Sequence, residues 1–260
     1  MIDTHCHLDL VARQKNLEIV INEALQAGVT HFIVPGINQD NWAELIKLGE
    51  KHAQIYYAFG FHPLFLGGIN DNSIQRLKWQ LEESFRLSQK CVAVGECGLD
   101  FFQGKEQVDE QISLLEQQIL LANQFKLPVI LHSRKAHQEM IQSLKRTQPD
   151  YGGVVHGFSG SYQQAMDYIN LGLKIGVGGV ITYPRANKTR QTIARLPLES
   201  LVFETDAPDM PLSGYQGVPN EPKRVAEVLT SLNTLRTEQK QTIASQVKEN
   251  SKLLFGICDL

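Results

Sequence analysis

The sequence predicts a (β/α)8 barrel of the TIM type, a single α/β domain over residues 1–260, on three observations. Short apolar runs alternate with stretches of helical periodicity along the whole chain. Eight such pairs fill 260 residues, close to the roughly 250 that a closed barrel takes. No low-complexity linker divides them. Regular strand and helix alternation requires a parallel sheet with crossover helices. An open doubly wound sheet is the competing arrangement, but it typically carries a glycine-rich phosphate loop after its first strand. Here that turn reads His5-Cys6-His7-Leu8-Asp9.

The opening strand runs through Ile2 to His7, and Leu17, Val20, Ile21, Ala24 and Leu25 then fall at helical spacing before Gly28 as a C-terminal cap. A second strand spans His31 to Val34, followed by a helix carrying Trp42, Leu45, Ile46 and Gly49. The third strand, Ile55 to Gly60, runs into Phe61-His62-Pro63 and a helix with Ile74, Leu77, Leu81 and Phe85. Strand four is Val92 to Glu96, and its helix carries Ile112, Leu115, Ile119 and Ala122. Strand five, Pro128 to His132, precedes a helix over 135–147; strand six, Gly153 to His156, precedes one over 162–170. Strand seven, Lys174 to Val177, leads through a glycine-rich turn to a short helix over 188–195, and strand eight is Leu201 to Asp206. Two helices close the chain, one with Val225, Val228, Leu229, Leu232 and Leu235, the other with Ile243, Val247 and Leu254.

Composition bounds the chemistry. A 42% hydrophobic, 20% charged chain of formal net charge -3 is globular and lacks the global basicity of a nucleic-acid coat. An anionic substrate would have to be held by a metal or by a local basic patch. Cys6, Cys91, Cys97 and Cys258 form no CxxC pair, which suits free thiols in a reducing compartment and a cytoplasmic location. The start Met1-Ile2-Asp3-Thr4-His5 lacks a signal-peptide pattern, and no apolar run approaches a membrane span, so the protein reads as soluble and unprocessed. No protein partner is evident.

In a barrel, functional residues gather at the C-terminal ends of the strands. Those ends carry His5 and His7, His62, Glu96, His132, His156, Glu204 and Asp206. A His-x-His is expected by chance about 0.24 times given 8 histidines in 260 residues, so the opening motif is weak by itself. The joint pattern carries the weight. Side chains two apart on a strand share a face, which sets His5 beside His7, turns Cys6 away, and sets Glu96 on the inward row of Val92 and Val94. Glu204 and Asp206 share a face as well. Three carboxylates packed together repel one another unless cations lie between them, and two divalent ions would resolve this. Mixed imidazole and carboxylate donors suit Zn or Mn, with Mg also compatible.

His31, His52 and His137 read as structural or solvated, and Cys97 alternates away from the ligand face. Two basic clusters, Arg134 with Lys135 and Arg185 with Lys188 and Arg190, follow strands five and seven. Cations near helix starts oppose the helix dipole, which fits an anionic substrate such as a phosphodiester.

The motifs Asp3-Thr4-His5-Cys6-His7, Gly60-Phe61-His62-Pro63, Gly95-Glu96-Cys97-Gly98-Leu99-Asp100, His132-Ser133-Arg134, His156-Gly157-Phe158-Ser159-Gly160 and Glu204-Thr205-Asp206-Ala207-Pro208 resemble, in order and register, those of the TatD-type metal-dependent hydrolases and deoxyribonucleases of the amidohydrolase-like superfamily. The resemblance extends to Pro219-Asn220-Glu221-Pro222 and Asn250 to Phe255. It implies a metal-dependent barrel that hydrolyses ester bonds, with 3′ to 5′ exodeoxyribonuclease activity in some members and DNA or another phosphodiester as substrate. It also implies one metal held by His5, His7, Glu96 and Asp206, and a second by Glu96, His132 and His156, with Glu96 bridging. His62 resembles the histidine that contacts phosphate and Glu204 an acid assisting the second site. As a ligand able to accept a proton, Asp206 would orient or deprotonate the attacking water. The run Asp209 to Gly214 differs from the better-characterised nucleases and would border the substrate. A glutamate on strand four, where many related barrels carry a modified lysine, argues against dihydroorotase-like and phosphotriesterase-like readings. Hydrolysis of an aminoacyl ester or lactone is the enzymatic alternative, and a non-catalytic, metal-retaining binding protein is the alternative of another class.

Overall fold

A computed structural model describes residues 1–70 and 72–257; Cys258, one of the four thiols considered above, lies outside them. The strands neighbour one another in chain order: β1 (Ile2–Asp3), β2 (His31–Pro35), β3 (Ile55–Phe59), β4 (Cys91–Asp100), β5 (Val129–Arg134), β6 (Gly153–Val155), β7 (Leu173–Val177) and β8 (Leu201–Phe203), all parallel. The ring closes where Thr4 N–H donates to the Phe203 carbonyl at 2.9 Å and Cys6 bridges to Ala207. Around it stand α1 (Leu8–Ala12), α2 (Leu17–Gln26), α3 (Gln39–Lys51), α4 (Ser73–Leu87), α5 (Val108–Phe125), α6 (His137–Thr147), α7 (Tyr162–Asn170), α8 (Asn187–Arg195), α9 (Val225–Leu235) and α10 (Lys240–Phe255). The protein is thus the (β/α)8 barrel that its alternation predicts.

The strands are apolar on both faces because both faces are covered. Ile2, Ile33, Ala58, Ala93, Ile130, Val154 and Val202 fill the barrel interior. Phe32, Phe59, Leu131, Ile175 and Phe203 point outward against helix residues such as Leu45, Leu77, Leu115, Met140 and Val228. Helix starts follow from local chemistry: the Asn16 and Asn38 side chains accept from the Glu18 and Asp40 N–H groups, capping α2 and α3. At the N-terminal end of the barrel, Phe255 and Ile257 join the interior cluster, and Asn250 on α10 donates to the carbonyls of Leu198 and Leu201, each at 2.8 Å. That end is plugged, so an open site belongs at the other. Among the described residues, no helix is long and apolar enough to cross a membrane.

Three strand expectations need correction, the simplest being that β8 ends at Phe203 and not at Asp206. The first strand ends at Asp3, not His7, because the following backbone bonds to both neighbours in turn: Cys6 N–H donates to Ile33 and His7 N–H to Ala207, after which α1 begins directly. In β4, Val94 belongs to the outer cluster, so Glu96 does not share its face. The ladder with β5 loses register between Val94 and Cys97, and this slip turns Glu96 inward while Cys97 stays outside, its thiol near the Ile130 carbonyl. The slip needs glycines. A Cβ on Gly60 would stand 2.6 Å from the Gly95 backbone, and Gly95 itself has φ +151°.

Candidate metal centre

The open, C-terminal mouth of the barrel holds a cavity of about 720 Å³. Every histidine and acid that the sequence placed at a strand end, with the exception of fully inset His5 and Glu204, lines it. At its floor the cluster is tight. His5 Nε2 lies 3.3 Å from His7 Nε2, 3.2 Å from Glu96 Oε2 and 3.4 Å from Asp206 Oδ1. His7 Nε2 is 3.6 Å from both of those oxygens. The other Glu96 oxygen, Oε1, faces His156 Nε2 at 2.8 Å, His132 Nδ1 at 3.0 Å and His62 Nε2 at 3.2 Å. Glu96 therefore stands between two nitrogen-rich groups, one oxygen turned to each.

The elements explain the convergence. His5 and His7 are carried by the chain between β1 and α1, and Asp206 is fixed by its N–H donating to the His5 carbonyl at 2.8 Å, with φ +59°. Asp3 ties this seam, accepting from Thr205 N–H at 3.0 Å and Thr205 Oγ1 at 2.7 Å. Glu204 accepts from Gly157 N–H, and its other oxygen occupies space that a Cβ on Gly176 would fill, 2.3 Å away. Glu204 thus lies beneath the cluster, touching none of the proposed ligand atoms at ion-pair distance.

The electrostatics are those of a crowded, desolvated site. Burial, with the neighbouring His156 charge, pushes His5 down to about 3 against the pull of Glu96. Burial lowers His62 as well. Burial raises Glu204 to about 8, and burial with the charges of Glu96 and Glu204 raises Asp206 to about 8 despite His156. Glu96 is also buried, 2% exposed, but the charges of His156, His62 and His5 hold it well below the carboxylate range. His132 is the exception among the imidazoles: hydrogen bonds to Asp100 and Glu96 outweigh burial and lift it to about 9.

Whether the residues suit a metal can be judged from the donors. Ring nitrogens face each other at 3.3 Å (His5 and His7) and 3.1 Å (His132 and His156), an arrangement that hydrogen bonds alone satisfy poorly. Ligands at about 2.1 Å from a zinc ion stand roughly 3.4 Å apart on a tetrahedron, within the observed range of separations. Three sets of donors lie within 4.8 Å of one another: His5, His7 and Asp206; His5, Glu96 and His156; His62, Glu96 and His132. The fit is to divalent ions held by nitrogen and oxygen. His62 falls inside ligand range too, closer than a phosphate contact alone requires.

Asp100 is the functional residue that the strand-end argument missed. It accepts from His132 Nε2 at 2.9 Å, which fixes the proton there and leaves Nδ1 to face Glu96 and His156. A carboxylate behind a ligand imidazole is the usual second layer of a metal site. Asp100 is itself held by Phe102 N–H on one oxygen, and its own N–H donates to Gln111 on α5. The signal was present: β4 runs on through Gly98 to Asp100 on the face of Glu96.

His137, expected to be structural or solvated, lines the cavity, because β5 continues to Arg134 and Lys135, at φ +55°, folds α6 back over the mouth. Its ring faces Tyr168 Oη at 2.9 Å and the Ser159 carbonyl at 3.3 Å. Arg134 and Lys135 also line the cavity, whereas Arg185, Lys188 and Arg190 do not. Asp209 and Met210, from the divergent run after β8, border it as expected.

A closed parallel barrel with imidazoles and carboxylates converging at its C-terminal mouth defines a metal-dependent hydrolase of the amidohydrolase-like fold. Residues 2–256 match the family described as TatD related DNase, and the chain belongs to that family. It is 48% identical over 256 residues, 98% of each chain, to the uncharacterized metal-dependent hydrolase YjjV of Escherichia coli K12. A crystal structure of that TatD homologue superposes with a TM-score of 0.95 at 47% identity, covering 99% of this chain and 98% of the other. The 3′-5′ ssDNA/RNA exonuclease TatD of Citrobacter koseri is 30% identical over 268 residues, 99% of each.

Proposed function

We propose that the protein hydrolyses phosphodiester bonds with two divalent ions, acting as a 3′ to 5′ exonuclease on single-stranded DNA. The observation that carries this reading is the division of the Glu96 carboxylate between two donor groups, at 3.2 Å from His5 on one oxygen and 2.8–3.2 Å from His156, His132 and His62 on the other. His5, His7, Glu96 and Asp206 would hold one ion; Glu96, His132 and His156 would hold the second. Zn, Mn or Mg suits these donors. Such a pair supplies an acidified water and a clamp for the oxygens of an in-line displacement.

The chain's own residues do the remaining work. Asp206, at the edge of the cluster and reaching the cavity, orients the attacking water and in its ionised form accepts the proton of that water. His62, oriented by accepting the Leu64 N–H on Nδ1 at 3.1 Å, presents Nε2 toward the floor, where it donates to a non-bridging phosphoryl oxygen. Glu204 fixes the Gly157 turn that carries His156 and so assists the second ion's site. The exonuclease relative named above supports the choice of phosphodiester over carboxylic ester. The test is metal analysis of the purified protein, followed by hydrolysis of single-stranded DNA with a free 3′ end, of simple phosphodiesters and of carboxylic esters, beside Glu96→Ala. Metal-dependent release of 3′-terminal nucleotides is expected. Activity on carboxylic esters alone sinks the nuclease reading, and absence of both bound metal and metal-stimulated hydrolysis sinks the enzyme reading.

A further inference from the structure

The mouth of the cavity is chemically lopsided. Over β3 to β5 it carries two exposed aromatic rings, Phe65 (44% exposed) and Phe102 (49% exposed), together with Arg134 and Lys135. The Arg134 guanidinium lies 3.7 Å from the Phe102 ring centroid and Lys135 Nζ 4.6 Å from it. Neither cation makes a salt bridge to a carboxylate among the described residues. The non-glycine left-handed turn at Lys135 (φ +55°) places the pair at the mouth, a backbone cost of the kind that functional sites retain. Phe65 carries no cation among the described residues. Its ring meets His62 edge-on at 5.7 Å between centroids, and it lines both the main cavity and an adjoining hollow of about 340 Å³.

We infer that this sector is a nucleotide subsite, in which Phe65 stacks the base of the 3′-terminal nucleotide and Arg134, braced by Phe102, holds the phosphate next to the one being cleaved. The inference rests on the phosphodiesterase reading and deepens it. One loop presents both His62, facing the cluster at the floor, and Phe65, three residues later at the rim, with ring centroids 5.7 Å apart. A cavity of 720 Å³ is far larger than a lone phosphoryl group needs and falls in the range of sites that enclose organic ligands. An exposed aromatic beside unpaired cations is the combination that binds single strands without reading sequence: ring on base, cation on backbone. A protein of net charge -3 has no general attraction for a polyanion, so the local pair must supply it.

The test uses the metal-loaded enzyme and two oligonucleotides, one ordinary and one whose 3′-terminal nucleotide lacks its base. The wild type is expected to cleave the abasic strand about 10-fold less efficiently in kcat/KM, the scale of one base–aromatic stack. Phe65→Ala should erase that discrimination, cleaving both strands alike, and Phe65→Tyr should restore it. Arg134→Gln should raise KM for both strands and reduce the slope of log KM against log salt by about one. If the wild type cleaves both strands equally, or if Phe65→Ala retains the discrimination, the base subsite is refuted while phosphodiester hydrolysis stands. If neither strand is cleaved with any divalent ion, the phosphodiesterase reading falls and takes the subsite with it.

Discussion

The floor and the rim of the cavity solve opposite problems. At the floor, His5, Glu96 and Glu204 are almost fully enclosed: burial lowers His5 and raises Glu204, while neighbouring imidazoles hold Glu96 low against its burial. At the rim over β5, Arg134 and Lys135 are exposed and rest on an aromatic face instead of a carboxylate. Buried donors are costly unless satisfied, so a change at the floor is felt whatever the substrate. Exposed cations cost little to keep and matter only when an anion reaches them. In the proposed enzyme, chemistry at the floor and selectivity at the rim are therefore separable.

Replacing a floor residue gives the largest effect. Glu96→Ala removes the carboxylate that faces both donor groups, and loss of activity by about 10³-fold or more is expected on every substrate, with reduced bound metal measured by elemental analysis. A loss that depended on substrate length would break the separation between floor and rim. The next effect lies one layer out. Asp100→Asn keeps the shape but exchanges an oxygen that accepts from His132 Nε2 for a group that can flip to donate, which frees the imidazole to change tautomer. Metal affinity should fall roughly 10- to 100-fold. Competition against a chelator reads this directly, and an unchanged affinity would remove Asp100 from the site.

A smaller effect separates the two basic clusters, which the sequence could not. Arg134 with Lys135 and Arg185 with Lys188 and Arg190 look alike as cations after strands, and the helix-dipole argument treats them equally. In the fold, Arg190 donates to the Ile181 carbonyl and Arg185 lies over Tyr183 at 5.3 Å, so these two arginines brace their own loop. Arg190→Leu should cost about 1 kcal/mol in stability, seen in denaturant unfolding, while the KM for single-stranded DNA stays that of the wild type. A raised KM would return the second cluster to the substrate path. The strand-end histidines were legible because a parallel barrel directs strand C-termini to one mouth, so His132 and His156 could be placed from periodicity alone. The direction of a loop cation is set by turns such as that at Lys135, which hydrophobic pattern does not encode. Glu96 lies between these cases: simple alternation aimed it inward along with Val94, yet it faces inward because the strand slips after Val94.

The smallest predicted effect concerns the part of the rim where cations are paired. At the seam between the loops after β8 and β1, Lys15 and Lys223 both bond Glu221, the latter at 2.7 Å, and Lys223 also reaches Glu23 at 2.7 Å. Partial burial of Glu221 would raise its carboxyl, but the hydrogen bonds and charges of Lys15 and Lys223 outweigh it and hold the group below the carboxylate range. A carboxyl depressed on folding stabilises the native state fully above its unfolded value, near 4.3 for glutamate, and loses that stabilisation as the pH falls through the folded value. Glu221→Gln should therefore unfold more easily than the wild type at pH 7, and the gap should close as the medium is acidified below about pH 4. Both lysines are more than a third exposed, so screening keeps the gap under about 1 kcal/mol. Thermal unfolding of the two proteins across pH measures it. A gap that widened in acid would reverse the sign, and would mean that Glu221 is held by its burial and not by the two lysines that distinguish this seam from the open rim at Arg134.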